Sequence, residues 1–98
     1  MRFEWDEDKN RRNLAKHQID FETAALVFDD PDHLVLEDRA VEGEQRWKAL
    51  GLIGRATVVL VVHTYQEMDT EAVIRIISAR RATRPERKDY DEAHGISS

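Results

Sequence analysis

The chain has 98 residues and no cysteine, and its 15 Lys and Arg residues against 20 Asp and Glu residues give a formal net charge of -5. This length suits a single domain over residues 1–98, because two separate cores would each fall near the lower size limit for folding. The lack of cysteine excludes a disulfide scaffold and any thiolate metal or redox site. No apolar run approaches the roughly 18 residues that span a membrane, and the N-terminus does not resemble a signal peptide, so we expect a cytoplasmic protein.

The first half of the chain is predicted to be mainly helical. Residues 3–5 alternate in polarity and form a short edge strand, and Asp6 is the N-cap of a helix that runs to about His17. Asp20 caps a second helix, whose apolar residues recur every three or four positions until Pro31 ends it. The sequence therefore predicts one strand and two helices before residue 31.

The second half is predicted to form a sheet and one last helix. Four segments have the polarity or the β-branched residues of strands, and they are residues 33–37, 44–50, 56–65 and 72–79. A polar turn at residues 66–70 joins the last two. Thr83 and Glu86 form a capping box, which begins a short helix that carries Tyr90 and frays by Gly95. This order of elements favours an α+β fold with an antiparallel meander.

Acidic and basic residues are concentrated in different parts of the chain. Residues 20–44 contain nine acids and one base, whereas residues 75–88 contain six bases and one acid. A second basic cluster consists of Lys9, Arg11, Arg12 and Lys16. Solvated surface charge explains such clusters equally well, but the asymmetry also fits two faces with different partners. Because phosphate binding depends on the local field, the net negative charge does not exclude RNA as a partner.

Several kinds of site are disfavoured by the residues present. Ser78 lies in a predicted strand without a glycine elbow, which disfavours nucleophilic catalysis, and the chain has no P-loop or dinucleotide-binding motif. Residues 51–54 are predicted to be a loop and not a phosphate cradle. The histidines lack the paired spacing of metal ligands, so no metal or other cofactor is expected; they are His17, His33, His63 and His94.

Charged and aromatic residues on the predicted strands are the remaining candidates for chemistry. Alternation places Glu44, Arg46 and Lys48 on one face of their strand and Trp47 on the other. His63 ends the next strand and is ionisable near neutral pH. These residues can therefore contribute to one charged surface if the two strands are neighbours.

Three arginines lie in or directly after the last predicted strand. Strict alternation places Arg75 and Arg80 on opposite faces of this strand, because five positions separate them. Arg80 and Arg81 leave the strand in opposite directions just before the capped helix. A helix N-terminus beside several arginines is a suitable site for phosphate.

These residue types together suggest metal-free cleavage of a phosphodiester bond in RNA. That reaction needs a base for the 2′-hydroxyl, an acid for the 5′-oxygen and cations for the charge that develops on phosphorus. The candidate acids and bases are Glu44, His17 and His63, and the candidate cations are Arg46, Arg75, Arg80 and Arg81. Trp47 and Tyr90 are candidates for stacking on a base, although Trp47 also fits an ordinary core position.

The sequence resembles the BrnT toxin family from residue 3 to about residue 91. The resemblance is carried by short motifs, namely FEWD at 3–6, KN at 9–10, NLAKH at 13–17, IDF at 19–21, VFDDP at 27–31, GEQR at 43–46, VHT at 62–64, IRIISARRAT at 74–83 and RPERKDY at 84–90. The motif that ends in His17 and the segment around Arg80 are the most specific.

This resemblance implies a toxin of a bacterial type II toxin–antitoxin pair with a RelE-like fold. Such a fold has two N-terminal helices on an antiparallel or mixed twisted sheet of four to five strands, and a short C-terminal helix. The resemblance implies a ribonuclease that blocks translation and is neutralised by a DNA-binding antitoxin, BrnA, in a complex that represses its own operon. RNA and the antitoxin are then the partners, in a hetero-oligomer, with DNA contacted only through the antitoxin and with no membrane partner.

Site residues follow from the same resemblance and from the charged surface. The expected catalytic residues, carried over by position, are His17, Glu44, Arg46, Arg75, Arg80 and Arg81. The residues expected to bind RNA around them are Lys9, Lys16, Trp47, Lys48, His63, Arg84, Arg87 and Tyr90.

Two other functions remain open from the sequence. One is a catalytically inactive module that only binds an antitoxin, and the other is a toxin that inhibits DNA gyrase, as relatives of RelE do. In each case the acidic residues 20–44 fit a basic antitoxin surface, because complementary charge speeds encounter and selects partners.

Overall fold

The computed structural model describes residues 1–93, which form a five-stranded sheet and three α-helices. In chain order the elements are β1 (Arg2–Glu4), α1 (Glu7–His17), α2 (Phe21–Ala24), a 3-10 helix (Ala25–Asp29), β2 (Leu34–Val41), β3 (Glu44–Ile53), β4 (Thr57–Met68), β5 (Glu71–Arg81) and α3 (Arg84–Ala93). The predicted α+β fold is confirmed. His94 and the predicted fraying by Gly95 lie outside the described residues. Within residues 1–93, no helix is long and apolar enough to cross a membrane.

The sheet is mixed, and its strands are ordered β1-β5-β4-β3-β2. Strands β2 to β5 form the predicted antiparallel meander, and β1 lies at one edge, where it runs parallel to β5 and pairs Phe3 with Ile74. The predicted edge strand is thus confirmed. The β4–β5 hairpin is longer than predicted, because its turn is only Asp69 and Thr70 and the residues on either side pair in the ladder.

The second predicted helix is shorter than expected. Its N-cap is the predicted one, since the Asp20 carboxylate accepts a hydrogen bond from the Thr23 backbone N–H at 2.7 Å. Only Phe21–Ala24 is α-helical, and Ala25–Asp29 continues as a 3-10 helix. The apolar periodicity of this segment does not distinguish the two, because both helix types bring residues three positions apart to one side.

The 3-10 helix lies directly against β3 at Gly51. A Cβ atom added to Gly51 would lie 2.6 Å from Val27 Cγ1 and 2.8 Å from the Val27 carbonyl oxygen. Gly51 was predicted in a loop, but it lies inside β3 (Glu44–Ile53). Glycine at this position allows the close approach of two backbones that a side chain would prevent.

The two faces of the sheet carry different residues. We call the side against which α1, α2 and the 3-10 helix pack the helical face. Its core holds the largest apolar cluster, which comprises Ile19, Phe21, Ala24, Val27, Ala49, Val59, Val61, Ile74, Ile76 and Ala79. We call the opposite side the open face; α3 covers one end of it over a smaller cluster of Leu50, Val58, Leu60 and Tyr90.

A β-bulge in β5 decides which residues share a face. Val62 pairs with Ser78 but the next residue, His63, pairs with Ile76, so Ile77 is an extra residue in β5. As a result Arg75 and Arg80 lie on the same open face, because their partners Thr64 and Leu60 are an even number of residues apart. The prediction that these two arginines lie on opposite faces is wrong, since it assumed strict alternation.

Asn13 attaches α1 to the sheet. Its side chain is buried, and its amide donates hydrogen bonds to the carbonyls of Ile19 at 2.9 Å and Ala79 at 2.8 Å. Its side-chain oxygen accepts a third bond from the Ala79 N–H at 3.1 Å. β1 pairs with β5 only as far as Arg75, so Asn13 satisfies backbone groups on the part of the β5 edge that β1 does not reach.

α3 is attached to the open face by its first turn and by Tyr90. The predicted capping box is confirmed, because the Thr83 N–H donates to Glu86 at 2.9 Å and the Glu86 N–H donates to the Thr83 hydroxyl at 3.4 Å. Arg80 of β5 also binds Glu86, with its two terminal nitrogens 2.7 and 3.0 Å from the two carboxylate oxygens. The end of β5 is therefore joined to the start of α3.

Candidate functional site

The part of the open face that α3 leaves uncovered carries a carboxylate between cations. Glu44 begins β3, and Arg75 lies in β5, two strands away. The Arg75 guanidinium reaches across β4 and donates to the Glu44 carboxylate at 2.9 Å. Both side chains are about half exposed, at 47% for Arg75 and 50% for Glu44, so a ligand has access to the pair.

Arg46 and Lys48 extend this charged group along β3. They alternate onto the same face as Glu44, and Lys48 pairs with Val62 of β4. The Arg46 Nε atom is buried and has no hydrogen-bond partner among the described residues. An unpaired buried N–H costs free energy, so an oxygen of a bound anion that reached it would be stabilised. We call Glu44, Arg46, Lys48 and Arg75 the open-face cluster.

A second basic group lies where α1 and β5 end. One depression there is lined by Lys16, His17, Gln18, Arg80, Arg81 and Thr83. Along β5, Arg75 and Arg80 are about 15 Å apart at the usual rise per residue. The structure therefore divides the six predicted catalytic residues into two groups, with Glu44, Arg46 and Arg75 in one and His17, Arg80 and Arg81 in the other.

Arg80 is strongly engaged by Glu86. The bidentate hydrogen bond from Arg80 lowers the pKa of the Glu86 carboxyl to about 2, and the same bond raises the pKa of Arg80. Arg81 projects to the helical side, because its partner in the ladder is Val59. Of the two predicted arginines, Arg81 is the exposed one and Arg80 is half-buried within an ion pair.

Two of the predicted RNA-binding residues lie on the helical face. Trp47 pairs with His63 across β3 and β4, and both line an apolar groove. The His63 ring is 3% exposed and contacts Phe28 edge to face, with ring centroids 4.9 Å apart. Burial lowers the pKa of His63, so at neutral pH the ring is neutral and provides no cation for phosphate. The structure separates Trp47 and His63 from the open-face cluster.

The other predicted RNA-binding residues are spread over the helices. Tyr90 is 6% exposed, and its hydroxyl donates to the Asp30 carboxylate, which also accepts from the Leu52 N–H at 2.8 Å. Burial, and next this hydrogen bond, raise the pKa of Tyr90. Arg84 and Arg87 are exposed and line a depression on α3, and Lys9 and Lys16 are exposed on α1. Tyr90 is thus placed as a packing residue, whereas the exposed cations are accessible to a polyanion.

Asn13 and Thr64 are residues that the sequence reasoning did not assign to the site. Asn13 holds the helix that ends at His17, and Thr64 is buried opposite Arg75. The position of Asn13 on the narrow apolar side of α1 was a sequence signal that its side chain is buried. There was no such signal for Thr64, because Thr64 lies within a run of β-branched strand residues. Residues 1–93 contain no group of three or more His, Asp or Glu side chains placed to hold a metal ion.

These features define a class of protein. A small α+β domain that places Glu44 beside arginines on an uncovered sheet face has the residue types that cleavage of a phosphodiester needs. The family described as "Ribonuclease toxin, BrnT, of type II toxin-antitoxin system" matches residues 5–86. The chain therefore belongs to the BrnT family of ribonuclease toxins, and this family implies an antitoxin partner.

A solved structure agrees with this family. The crystal structure of the Brucella abortus ribonuclease toxin BrnT is 26% identical in sequence, with a TM-score of 0.64, over 86% of this chain and 99% of that one. A search of curated proteins finds no match. The fold of the chain is thus that of a BrnT toxin over almost the whole length of the Brucella protein.

Proposed function

We propose that this chain is a metal-independent endoribonuclease toxin that cleaves cellular RNA in the cytoplasm and inhibits translation. The observation that carries the proposal is the Glu44–Arg75 pair on the open face, beside the unpaired guanidinium nitrogen of Arg46. Membership of a ribonuclease toxin family supports it. The five-stranded sheet with α1 on one side fits the RelE-like architecture that we assign to the fold.

The open-face cluster supplies the groups for attack by the 2′-hydroxyl on the adjacent phosphorus. Glu44 accepts the 2′-hydroxyl proton, because it is the carboxylate of the cluster and is accessible to substrate. Arg46 and Arg75 stabilise the charge that develops on the phosphoryl oxygens, as preformed donors do in other sites. Lys48 or solvent protonates the leaving 5′-oxygen. Cleavage leaves a 2′,3′-cyclic phosphate and a free 5′-hydroxyl.

The second basic group holds the RNA strand away from the bond that is cut. Lys16, His17 and Arg81 lie around the end of β5, on the order of 15 Å or more from Arg75 along the strand. A single strand that leaves the open face around this end of the sheet would meet them within a few nucleotides, and each phosphate that it carries there can pair with a cation. We therefore assign these residues to substrate binding and the open-face cluster to catalysis.

The antitoxin in this proposal is a BrnA-like DNA-binding protein. It neutralises the toxin in a hetero-oligomer, and the toxin contacts DNA only through it. The proposal has support from the family, whose type II systems use a protein antitoxin.

The test is cleavage of a defined RNA by the purified chain, with and without a metal chelator. We expect cleavage in both conditions, and a loss of about 100-fold or more in the rate for Glu44→Gln and for Arg46→Ala. The control is Arg55→Ala, because Arg55 is exposed in the turn between β3 and β4. We expect this variant to cleave RNA at the parental rate. Cleavage that stops with the chelator would contradict metal independence. Full activity of both cluster variants would contradict the assigned site.

A further inference from the structure

The helical face has a second half that its helices do not cover. The 3-10 helix ends at Asp29, and beyond it the sheet forms a groove of about 310 Å³. Apart from Phe28 of the 3-10 helix, its lining comes from the strands or from residues next to them. The lining residues are Met1, Phe28, His33, Val35, Trp47, His63, Tyr65 and Ile74. We call this surface the apolar groove.

The apolar groove exposes side chains that a folded domain usually buries. Val35 is 43% exposed and Tyr65 is 50% exposed, and Trp47 between them is half-buried. Phe28 forms the wall toward the helices, where it packs against Phe3 with ring centroids 5.5 Å apart. A continuous exposed apolar patch bounded by polar residues often marks a protein interaction site, whereas single exposed apolar residues are common on any surface.

The edge of the groove is acidic. Glu37 pairs with Trp47 in the β2–β3 ladder and therefore lies on the same face beside it. Glu67 accepts a hydrogen bond from the Tyr65 hydroxyl at 3.2 Å. Glu37 belongs to the acid-rich residues 20–44, whose last acid, Glu44, lies instead on the open face. The cations of the open-face cluster, in contrast, lie on the other side of the sheet.

We propose that the apolar groove binds a segment of the antitoxin that presents apolar side chains flanked by Lys or Arg. This rests on the antitoxin partnership in the proposed function. The apolar part of the segment fills the groove, and its basic flanks lie against Glu37 and Glu67, which favours encounter and orientation. A second copy of this chain fits less well, because two acidic edges would repel one another at a symmetric contact.

The placement of the groove gives the antitoxin a binding site that is separate from the catalytic one. The groove is on the helical face and the Glu44–Arg75 pair is on the open face, with the sheet between them. Loss of antitoxin binding should therefore leave RNA cleavage intact. A variant of this kind would be toxic even when the antitoxin is present.

The test compares two charged variants in the groove, Val35→Arg and Tyr65→Arg, with Leu14→Arg as the matched control. Leu14 has an exposure between those of Val35 and Tyr65, at 47%, but lies on α1 outside the groove. The probe is the purified product of the antitoxin reading frame adjacent to the toxin gene, titrated by calorimetry. We expect each groove variant to bind at least about tenfold more weakly, because an introduced arginine repels the basic flanks and fills the groove, and Leu14→Arg to bind like the parent.

Three measurements separate the possible outcomes. Circular dichroism shows that each variant is folded, and RNA cleavage by the groove variants at the parental rate shows that only binding is affected. Unchanged antitoxin affinity in both folded groove variants would overturn the inference. Sedimentation that shows a parental dimer made monomeric by Val35→Arg would overturn it in favour of a second copy. Weaker antitoxin binding by the groove variants of a chain that cleaves no RNA would support the inference and refute the proposed ribonuclease.

Discussion

The two faces of the sheet are built from the same strands but are stabilised in different ways. On the helical face, Phe21 and Val27 are fully buried and the chain packs closely enough that Gly51 has no room for a side chain. On the open face, the Glu44–Arg75 pair is about half exposed, and only one end is covered by α3. The difference indicates that the first face carries stability, whereas the second leaves charged side chains accessible to a ligand.

The largest effect is expected on activity and concerns Arg75. Arg75→Ala removes a guanidinium that can stabilise charge on phosphorus, so RNA cleavage should fall by about 100- to 1,000-fold. The free energy of unfolding should change by less than about 0.5 kcal/mol, because the lost ion pair is exposed. Arg2→Ala is the matched control, since Arg2 forms an exposed ion pair with Glu71 on the neighbouring strand. A destabilised but active Arg75 variant would reverse the roles of the two faces.

The largest effect on stability is expected at Gly51. Gly51→Ala places a Cβ within 3 Å of Val27 side-chain and backbone atoms, so the 3-10 helix must move. We expect a loss of about 2–4 kcal/mol in the free energy of unfolding, measured with urea. Gly54→Ala serves as the comparison, because Gly54 has a φ of +69° but open space around it, and should cost about 1 kcal/mol. Equal costs at the two positions would show that close packing at Gly51 contributes nothing.

The variant Asn13→Ala tests whether the stability of the helical face depends on a polar group as well as on apolar packing. Asn13→Ala leaves the carbonyl of Ile19 and both backbone groups of Ala79 without their partner. The expected loss is about 2–3 kcal/mol in the free energy of unfolding. Arg12→Ala, an exposed change on the same helix, should alter it by less than about 0.5 kcal/mol. Retained stability in Asn13→Ala would mean that water replaces the side chain at the β5 edge.

The smallest effect is expected at the covered end of the open face, and it depends on pH. Arg80 holds the pKa of Glu86 at about 2, below the usual 4.5, so the pair stabilises the fold above pH 4.5 and loses this contribution as the pH falls towards 2. Glu86→Gln should therefore cost about 1 kcal/mol at pH 7 and nothing near pH 2. The control is Glu92→Gln, in an exposed pair with Lys88 at 3.9 Å. A cost that is the same at both pH values would assign the effect to the capping bond alone.

Local sequence signals predicted most of the fold. Asp6, Asp20 and the Thr83–Glu86 capping box begin helices where expected, because each satisfies backbone N–H groups through its own neighbours in sequence. The antiparallel meander of strands β2 to β5 was also predicted from the order of the elements. The 3-10 helix and the position of Gly51 inside β3 were not predicted, since both depend on a contact between Val27 and a strand more than twenty residues away.

The candidate site was predicted by residue type more than by position. Glu44, Arg46 and Arg75 were all candidates, and the structure brings them to one surface because β3 and β5 lie on either side of β4. Trp47 and His63 were also candidates for RNA binding, but they lie on the helical face. Alternation along β3 already placed Trp47 and Arg46 on opposite faces of the sheet. The sequence did not indicate which of the two faces would remain uncovered by helices.

The extra residue at position 77 has a consequence for how the chain tolerates change. A substitution at Ile77 alters one half-buried side chain and should be mild. A deletion of the same residue would remove the bulge and leave Arg75 and Arg80 four positions apart, so that regular alternation would keep both on the open face. The bulge therefore lets β5 lose one residue without a change of face, whereas the loss of one residue from the regularly paired part of β3 would turn half of that strand over.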